Sequence, residues 1–229
     1  MINEDDVQFR KARAGDADWA VPLIVDSAPA RFAYFHREQT DSLQAYLRDE
    51  FSSNAGLFSY RHHVAVEYRG APAGVVSLFR SAAAAVCSIG TLYHMVRSLG
   101  LPETLGVLSR RHYASGRMPL LSRTSVYMDN LCVEPHLRGR GIGKLIVRHL
   151  LHIAAANGYR YLYCDVEYRN TPARQLYQQC GMQFVDLLRS APFCPLDSFI
   201  RLRRDLREQV DVRTKTEERE RAMQVERLA

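Results

Sequence analysis

Hydrophobic and polar residues along this chain change period several times, and each change marks an element. Val7-Gln-Phe-Arg-Lys-Ala-Arg alternates and predicts a first strand. Asp16 or Asp18 stands where a cap would open a helix from Trp19 through Val25. Ser27 to Phe35 reads as a loop, and Asp41 to Phe51 as a second helix with Leu43, Tyr46 and Leu47 on its apolar face. His63 to Tyr68 and Gly74 to Phe79 are apolar runs joined by Arg69-Gly-Ala-Pro-Ala, the pattern of a hairpin. Ala82 to Val96 is compatible with a helix, Gly100-Leu-Pro breaks it, and Leu105 to Tyr113 predicts another.

The strongest pattern follows. Ser125 to Val133 is rich in strand formers, with Val126, Met128 and Cys132 on one alternating face. Ile142, Leu145, Ile146, Leu150 and Ile153 then recur at helical spacing. Between them lies Arg138-Gly139-Arg140-Gly141-Ile142-Gly143-Lys144, so a strand enters a glycine-rich turn and a helix leaves it. Glycines at alternate positions let backbone approach a ligand, and the N–H groups and positive dipole end of the helix favour an anion, typically phosphate. Tyr161 to Val166 reads as a buried strand, and Thr171 as a cap for a helix with Pro172 in its first turn and Gly181 past its end. Gln183 to Leu188 and Phe199 to Leu202 predict two final strands.

Spacing narrows the ligand. A P-loop needs glycine four residues before the Gly-Lys pair and then Ser or Thr; Arg138 and Leu145 occupy those positions. A dinucleotide fingerprint needs glycine three residues after its second glycine, where Lys144 stands. The remaining pattern, Arg138-x-x-Gly141-x-Gly143, with Met128-Asp-Asn-Leu-Cys-Val-Glu-Pro-His-Leu-Arg ahead and Asn170, Tyr177 and Gly181 behind, resembles the GNAT superfamily of acetyl-CoA-dependent N-acetyltransferases.

That resemblance implies a mixed α/β (α+β) GNAT fold: a twisted, mostly antiparallel sheet of six to seven strands with flanking helices. Residues 80–123 depart from a minimal domain of this kind, since roughly forty residues stand where an ordinary connection is short. They read as a helical insertion beside the acceptor cleft, or as a packing or dimer element. Its arginines, Arg97, Arg110, Arg111, Arg117 and Arg123, would either recognise an acidic acceptor or be solvated. The domain is expected over 1–203, followed by a charged extension, 204–229, read as helical.

Composition adds less. At 229 residues and 47% hydrophobic content the chain can bury one full core. No apolar run reaches membrane-spanning length, and the acidic Met1-Ile-Asn-Glu-Asp-Asp does not resemble a secretory signal. The five cysteines are scattered, which favours reduced thiols and a cytoplasmic setting; Cys132 and Cys164 read as buried small hydrophobes. A net charge of +6 suits an acidic ligand, but the basic residues form no stripe with aromatics, so neither a nucleic-acid nor a membrane partner is expected. His149 and His152 have no carboxylate at ligand spacing, and no metal is expected. The chain is expected as a monomer or a homodimer.

Amide formation needs a base for the amine proton, an acid for the departing thiolate and donors for the thioester oxygen. No enzyme nucleophile is needed when both substrates bind together. The resemblance implies acetyl-CoA as co-substrate, with pantetheine along Leu131, Cys132 and Val133 and pyrophosphate on Arg138, Gly139, Arg140, Gly141, Ile142, Gly143 and Lys144. It also implies that Asn170 contacts the coenzyme and that Tyr177 lies near the thioester sulfur as general acid. For the base, Asp165 leads: a carboxylate in an apolar strand requires a function or a buried partner. Asp129 and Glu167 are the alternatives. The acceptor implied is an amine of unspecified identity. Two other readings stay open: a non-catalytic coenzyme A-binding regulatory domain, and a transferase using a longer acyl group.

Overall fold

The computed structural model describes residues 2–37, 40–114 and 122–207. Seven strands form one sheet: β1 (Val7–Lys11), β2 (His63–Tyr68), β3 (Ala71–Arg80), β4 (Ser125–Val133), β5 (Tyr161–Glu167), β6 (Gln183–Leu188) and β7 (Phe199–Asp205). Their spatial order is β1-β2-β3-β4-β5-β7-β6. Every neighbouring pair is antiparallel except β4 with β5. The α-helices are α1 (Ala17–Ser27), α2 (Pro29–His36), α3 (Thr40–Phe51), α4 (Ser81–Leu99), α5 (Leu101–Tyr113), α6 (Ile142–Ala156) and α7 (Thr171–Gln179).

Strand alternation sends side chains to two cores. Val66, Val76, Val126, Met128 and Leu162 point to the face covered by α6 and α7, while neighbouring Ala65, Val75 and Cys132 point to the face covered by α1 and α3. Along α6 the stripe Ile142, Ile146, Val147, Leu150, Leu151 and Ala154 is fully buried. Each large apolar side chain there contributes roughly 1.5–3 kcal/mol, which fixes the helix, and so the loop ahead of it, against the sheet. His149 sits on the same helix and stacks on Phe9, ring centroids 3.9 Å apart.

Several local expectations change. Ser27 to Phe35 is not a loop: Pro29 occupies the first turn of α2, and Phe32 and His36 are buried on its inner face. Asp16 stands at the start of α1 but does not cap it; its carboxylate takes the Arg13 N–H and pairs with Arg10. The hairpin turns on two residues only, Arg69 and Gly70, both with positive φ, while Tyr68 already pairs with Ala71. Strand β7 continues three residues beyond Leu202, and Leu206 after it is buried. Residues 208–229 of the charged extension, and Arg117, lie outside the described residues.

The insertion expected between the third and fourth strands is helical, formed by α4 and α5. It is seated from inside. Gly90 of α4 approaches the 54–57 loop so closely that a Cβ would come 2.5 Å from the Gly56 nitrogen. The Thr91 hydroxyl accepts the Leu57 N–H at 2.8 Å and donates to the buried Glu50 carboxylate at 2.6 Å. Glu50 also takes the Tyr46 hydroxyl and the Phe58 N–H, and His94 joins Asp49 at 2.7 Å. No helix among the described residues is long and apolar enough to cross a membrane.

Candidate active site

Strands β4 and β5 pair only at Ser125 with Tyr161, Val126 with Leu162 and Tyr127 with Tyr163. Beyond Tyr127 they part, and a cleft opens between Met128–Leu131 and Asp165–Glu167, closed by Ser27, Ala28, Arg31, Asn170, Tyr177 and Phe199. A bulge helps to separate them. Cys132 faces Val75 and Asp129 faces Ser77, so three steps on β4 match two on β3. The extra residue falls at Asn130, which adopts a left-handed φ of 51°. Its N–H donates to the Asp129 carboxylate at 2.9 Å, and the Ser77 hydroxyl donates to the Asp129 carbonyl at 2.9 Å. The strained conformation is therefore held from both sides.

Beyond the cleft segment of β4, the chain runs through Val133 into the glycine loop. Gly139 and Gly141 have φ of 73° and 99°, and a Cβ on either would meet nothing within 4 Å, so the loop's outer surface is open. Gly143 serves packing instead: its Cβ would lie 3.2 Å from Leu176 of α7. No side chain caps α6, which leaves its first amides as orphan donors, the arrangement that binds anions. Arg138 behaves differently from expectation. Its guanidinium turns back, donating to the Val133 carbonyl at 2.8 Å and pairing with Asp26, and so ties the loop to α1. Arg140 is exposed, and Lys144 half-exposed, at the loop itself.

Tyr177 projects from α7 into the cleft and is buried; its hydroxyl has no hydrogen-bond partner among the described residues. Burial raises its pKa well above the ordinary value, with smaller pushes from Cys164 and Asp129, so the phenol keeps its proton. Asn170 caps α7, the place expected for Thr171: its Oδ1 accepts the Ala173 N–H at 3.1 Å. Asp165 has a buried partner, Arg201, at 2.9 and 2.8 Å, and a second donor in the Tyr127 hydroxyl. Burial raises its pKa and the Arg201 contacts oppose the rise. Glu167 lines the cleft at the end of β5.

Asp129 stands elsewhere, at the wall shared with a second cavity of about 90 Å³. That cavity lies among α2, α3, the 57–58 loop, β3, α4, α5 and β4, and meets the cleft at Arg31, Asp129 and Asn130. The insertion contributes Thr91, Met95, Val107 and Arg111 to its walls. Arg31 escaped the sequence reading because its segment read as a loop; the apolar spacing Phe32, Phe35, His36 was the available signal.

Thiol chemistry is disfavoured. Burial pushes the Cys132 thiol up to about 11 and Cys164 well above the ordinary value, so neither is a thiolate near neutrality. Among the described residues no three His, Cys, Asp or Glu side chains come together as a metal site.

The acetyltransferase (GNAT) family model matches residues 27–182. Streptothricin acetyltransferase of Streptomyces lavendulae is 33% identical over 60 residues, 26% of this chain and 32% of that protein. Peptidyl-lysine N-acetyltransferase YjaB of Salmonella typhimurium is 37% identical over 60 residues, 26% of this chain and 38% of that protein. The matches thus span about a third of these relatives' own lengths. A solved acetyltransferase superposes with a TM-score of 0.65 over 87% of this chain and 99% of that chain, at 17% identity, a likeness of fold. With the family model matched over most of its length, and the sheet parted beside an uncapped glycine loop, this chain belongs to the acetyltransferase (GNAT) family.

Proposed function

We propose that this chain transfers the acetyl group of acetyl-CoA to a primary amine by direct attack, with both substrates bound together. The observation that carries the reading is the parting of β4 from β5 beyond Tyr127, on the strand that leads through Val133 into a glycine loop with an open outer surface. The residues fit the coenzyme. Amides from Gly139 to Gly143 would hold its pyrophosphate, since those of Arg138 and Lys144 donate to Pro135 and Gly141, with the Arg140 and Lys144 side chains adding charge while Arg138 braces the loop. Leu131, Cys132 and Val133 would lie along pantetheine, and the Asn170 amide nitrogen is available to it.

Each chemical requirement has a candidate group. The Asn130 N–H is engaged by the Asp129 carboxylate, so backbone N–H groups of β4 after the bulge would be the donors for the thioester oxygen. Asp129, facing both cavities, takes the proton of the attacking amine directly or through water. Tyr177 delivers its proton to sulfur as the carbon–sulfur bond breaks. Asp165 is assigned a positioning role, because Arg201 and Tyr127 already engage its oxygens. The five free cysteines support a cytoplasmic setting.

Release of free thiol from acetyl-CoA across an amine panel tests this. Intersecting initial-velocity lines support a ternary complex, and parallel lines contradict it. Coenzyme binding without turnover of any acyl-CoA would leave the regulatory reading, and preference for a longer acyl chain would change the donor.

A further inference from the structure

The cavity on the far side of Asp129 is built for a particular kind of amine, an inference that rests on the acetyl-transfer reading above. Its surface is aromatic and aliphatic, with Phe32, Phe35, Phe58, Phe79, Met95 and Val107 in the walls. The hydroxyls that reach it are spent. Tyr46 and Thr91 both donate to buried Glu50 at 2.6 Å, and Thr91 also accepts from the Leu57 N–H. A polar tail would find few partners there, at the usual cost of burying an unpaired polar group.

Charge excludes a cationic tail as well. The guanidinium groups of Arg31 and Arg111 stand in the cavity wall. Arg110, which pairs with Glu103, adds enough positive field to help burial lower the His36 pKa to about 4, so that this imidazole is neutral. An ammonium group at the end of the acceptor's side chain would lie among Phe32, Phe58, Met95 and Val107, with Arg111 in the same wall.

The mouth has a different character. Arg31 and Asp129 both line the cavity and the coenzyme cleft, so they bracket one opening. Arg31 makes no ion pair among the described residues; its Nε is buried without a hydrogen-bond partner, and its guanidinium lies 4.6 Å from the Phe199 ring centre. Because Nε is sealed, an anion at this mouth would meet the terminal nitrogens of the guanidinium, which make no ion pair among the described residues. A cation and a carboxylate at one mouth match an amine and a carboxylate on one carbon.

We propose that the acceptor is a free α-amino acid with an apolar side chain, the side chain filling the aromatic cavity, the carboxylate on Arg31 and the amine at Asp129. In the transfer, the amine nitrogen bonds to the acetyl carbon as the carbon–sulfur bond breaks. The amine proton passes to Asp129 and the sulfur takes the Tyr177 proton.

The test is thiol release by the full chain with acetyl-CoA and L-phenylalanine, L-leucine, phenethylamine, L-lysine or spermidine, beside calorimetry of acetyl-CoA alone. Loss of a charged hydrogen bond predicts kcat/KM for phenylalanine about tenfold to a hundredfold above phenethylamine, with lysine and spermidine poorer still. Arg31→Gln should erase most of that preference; an equal loss for both amines would make Arg31 merely structural and overturn its role. Val107→Trp, filling the cavity from α5, should raise the KM for phenylalanine far more than that for alanine. Equal use of phenethylamine, or preference for the basic amines, overturns the proposal while leaving acetyl transfer intact. Absence of acetyl-CoA binding removes the transfer reading itself, and this proposal with it.

Discussion

Asp165 and Arg201 face each other across the β5–β7 ladder and join through two hydrogen bonds, with the carboxylate side chain fully buried. Asp165→Asn would remove the buried charge that Arg201 grips with two hydrogen bonds, a loss of about 3 kcal/mol in stability. Urea unfolding measures it. The alkaline limb of the pH–rate profile should keep its shape in this variant; a flattened limb would return the base role to Asp165.

Tyr177→Phe removes the proton aimed at the sulfur and little else, because the hydroxyl has no partner among the described residues. We expect kcat to fall by about a hundredfold, within the usual range for a lost general acid, with acetyl-CoA affinity nearly unchanged. Steady-state kinetics and calorimetry on the same preparation separate the two. Full activity would clear Tyr177.

The hydroxyl of Ser77 holds the bulge by donating to the Asp129 carbonyl, 3.4 Å from the Asn130 amide nitrogen. Ser77→Ala should lower kcat about tenfold through misplaced donors and Asp129, the equivalent of one lost hydrogen bond. Binding at the glycine loop should be untouched. A fall in coenzyme affinity equal to the fall in kcat would contradict this division.

Two buried histidines set the acid limit of the fold. Burial lowers both His36 and His63 from an ordinary 6.5 to about 4. Between those values the unfolded chain binds a proton that the folded chain refuses, so stability is lost as pH falls from 6.5 towards 4. Each contributes at most roughly 3 kcal/mol to that loss. His63→Phe should flatten the slope of urea midpoint against pH across this window. An unchanged slope would assign the acid sensitivity elsewhere.

What the sequence made legible was local. The strand, glycine turn and helix from Ser125 to Ala156 announce themselves because period-two alternation gives way to helical spacing across residues that tolerate positive φ. Arg69 and Asn130 adopt left-handed backbone without being glycine, so neither the two-residue hairpin nor the β4 bulge was readable. Pro29, inside the segment read as a loop, begins α2. Asp165 could be recognised as a carboxylate needing an explanation, but its partner lies 36 residues away on another strand, where no spacing rule reaches. The second cavity was hidden for the same reason: Phe32, Tyr46, Phe79, Met95 and Tyr127 meet only through the tertiary fold.

On the proposed function, the open glycine loop and the parted strands receive acetyl-CoA. Calorimetric titration with acetyl-CoA, beside ATP and NADP at matched ionic strength, tests it most directly. Gly141→Glu is the paired control, since it sets a side chain at a φ of 99° and a carboxylate where the pyrophosphate would sit, in space that a Cβ can enter freely. The unmodified chain should bind acetyl-CoA selectively, and Gly141→Glu should lose that binding without unfolding. Binding of a nucleotide in place of acetyl-CoA, or undiminished affinity in Gly141→Glu, would contradict it.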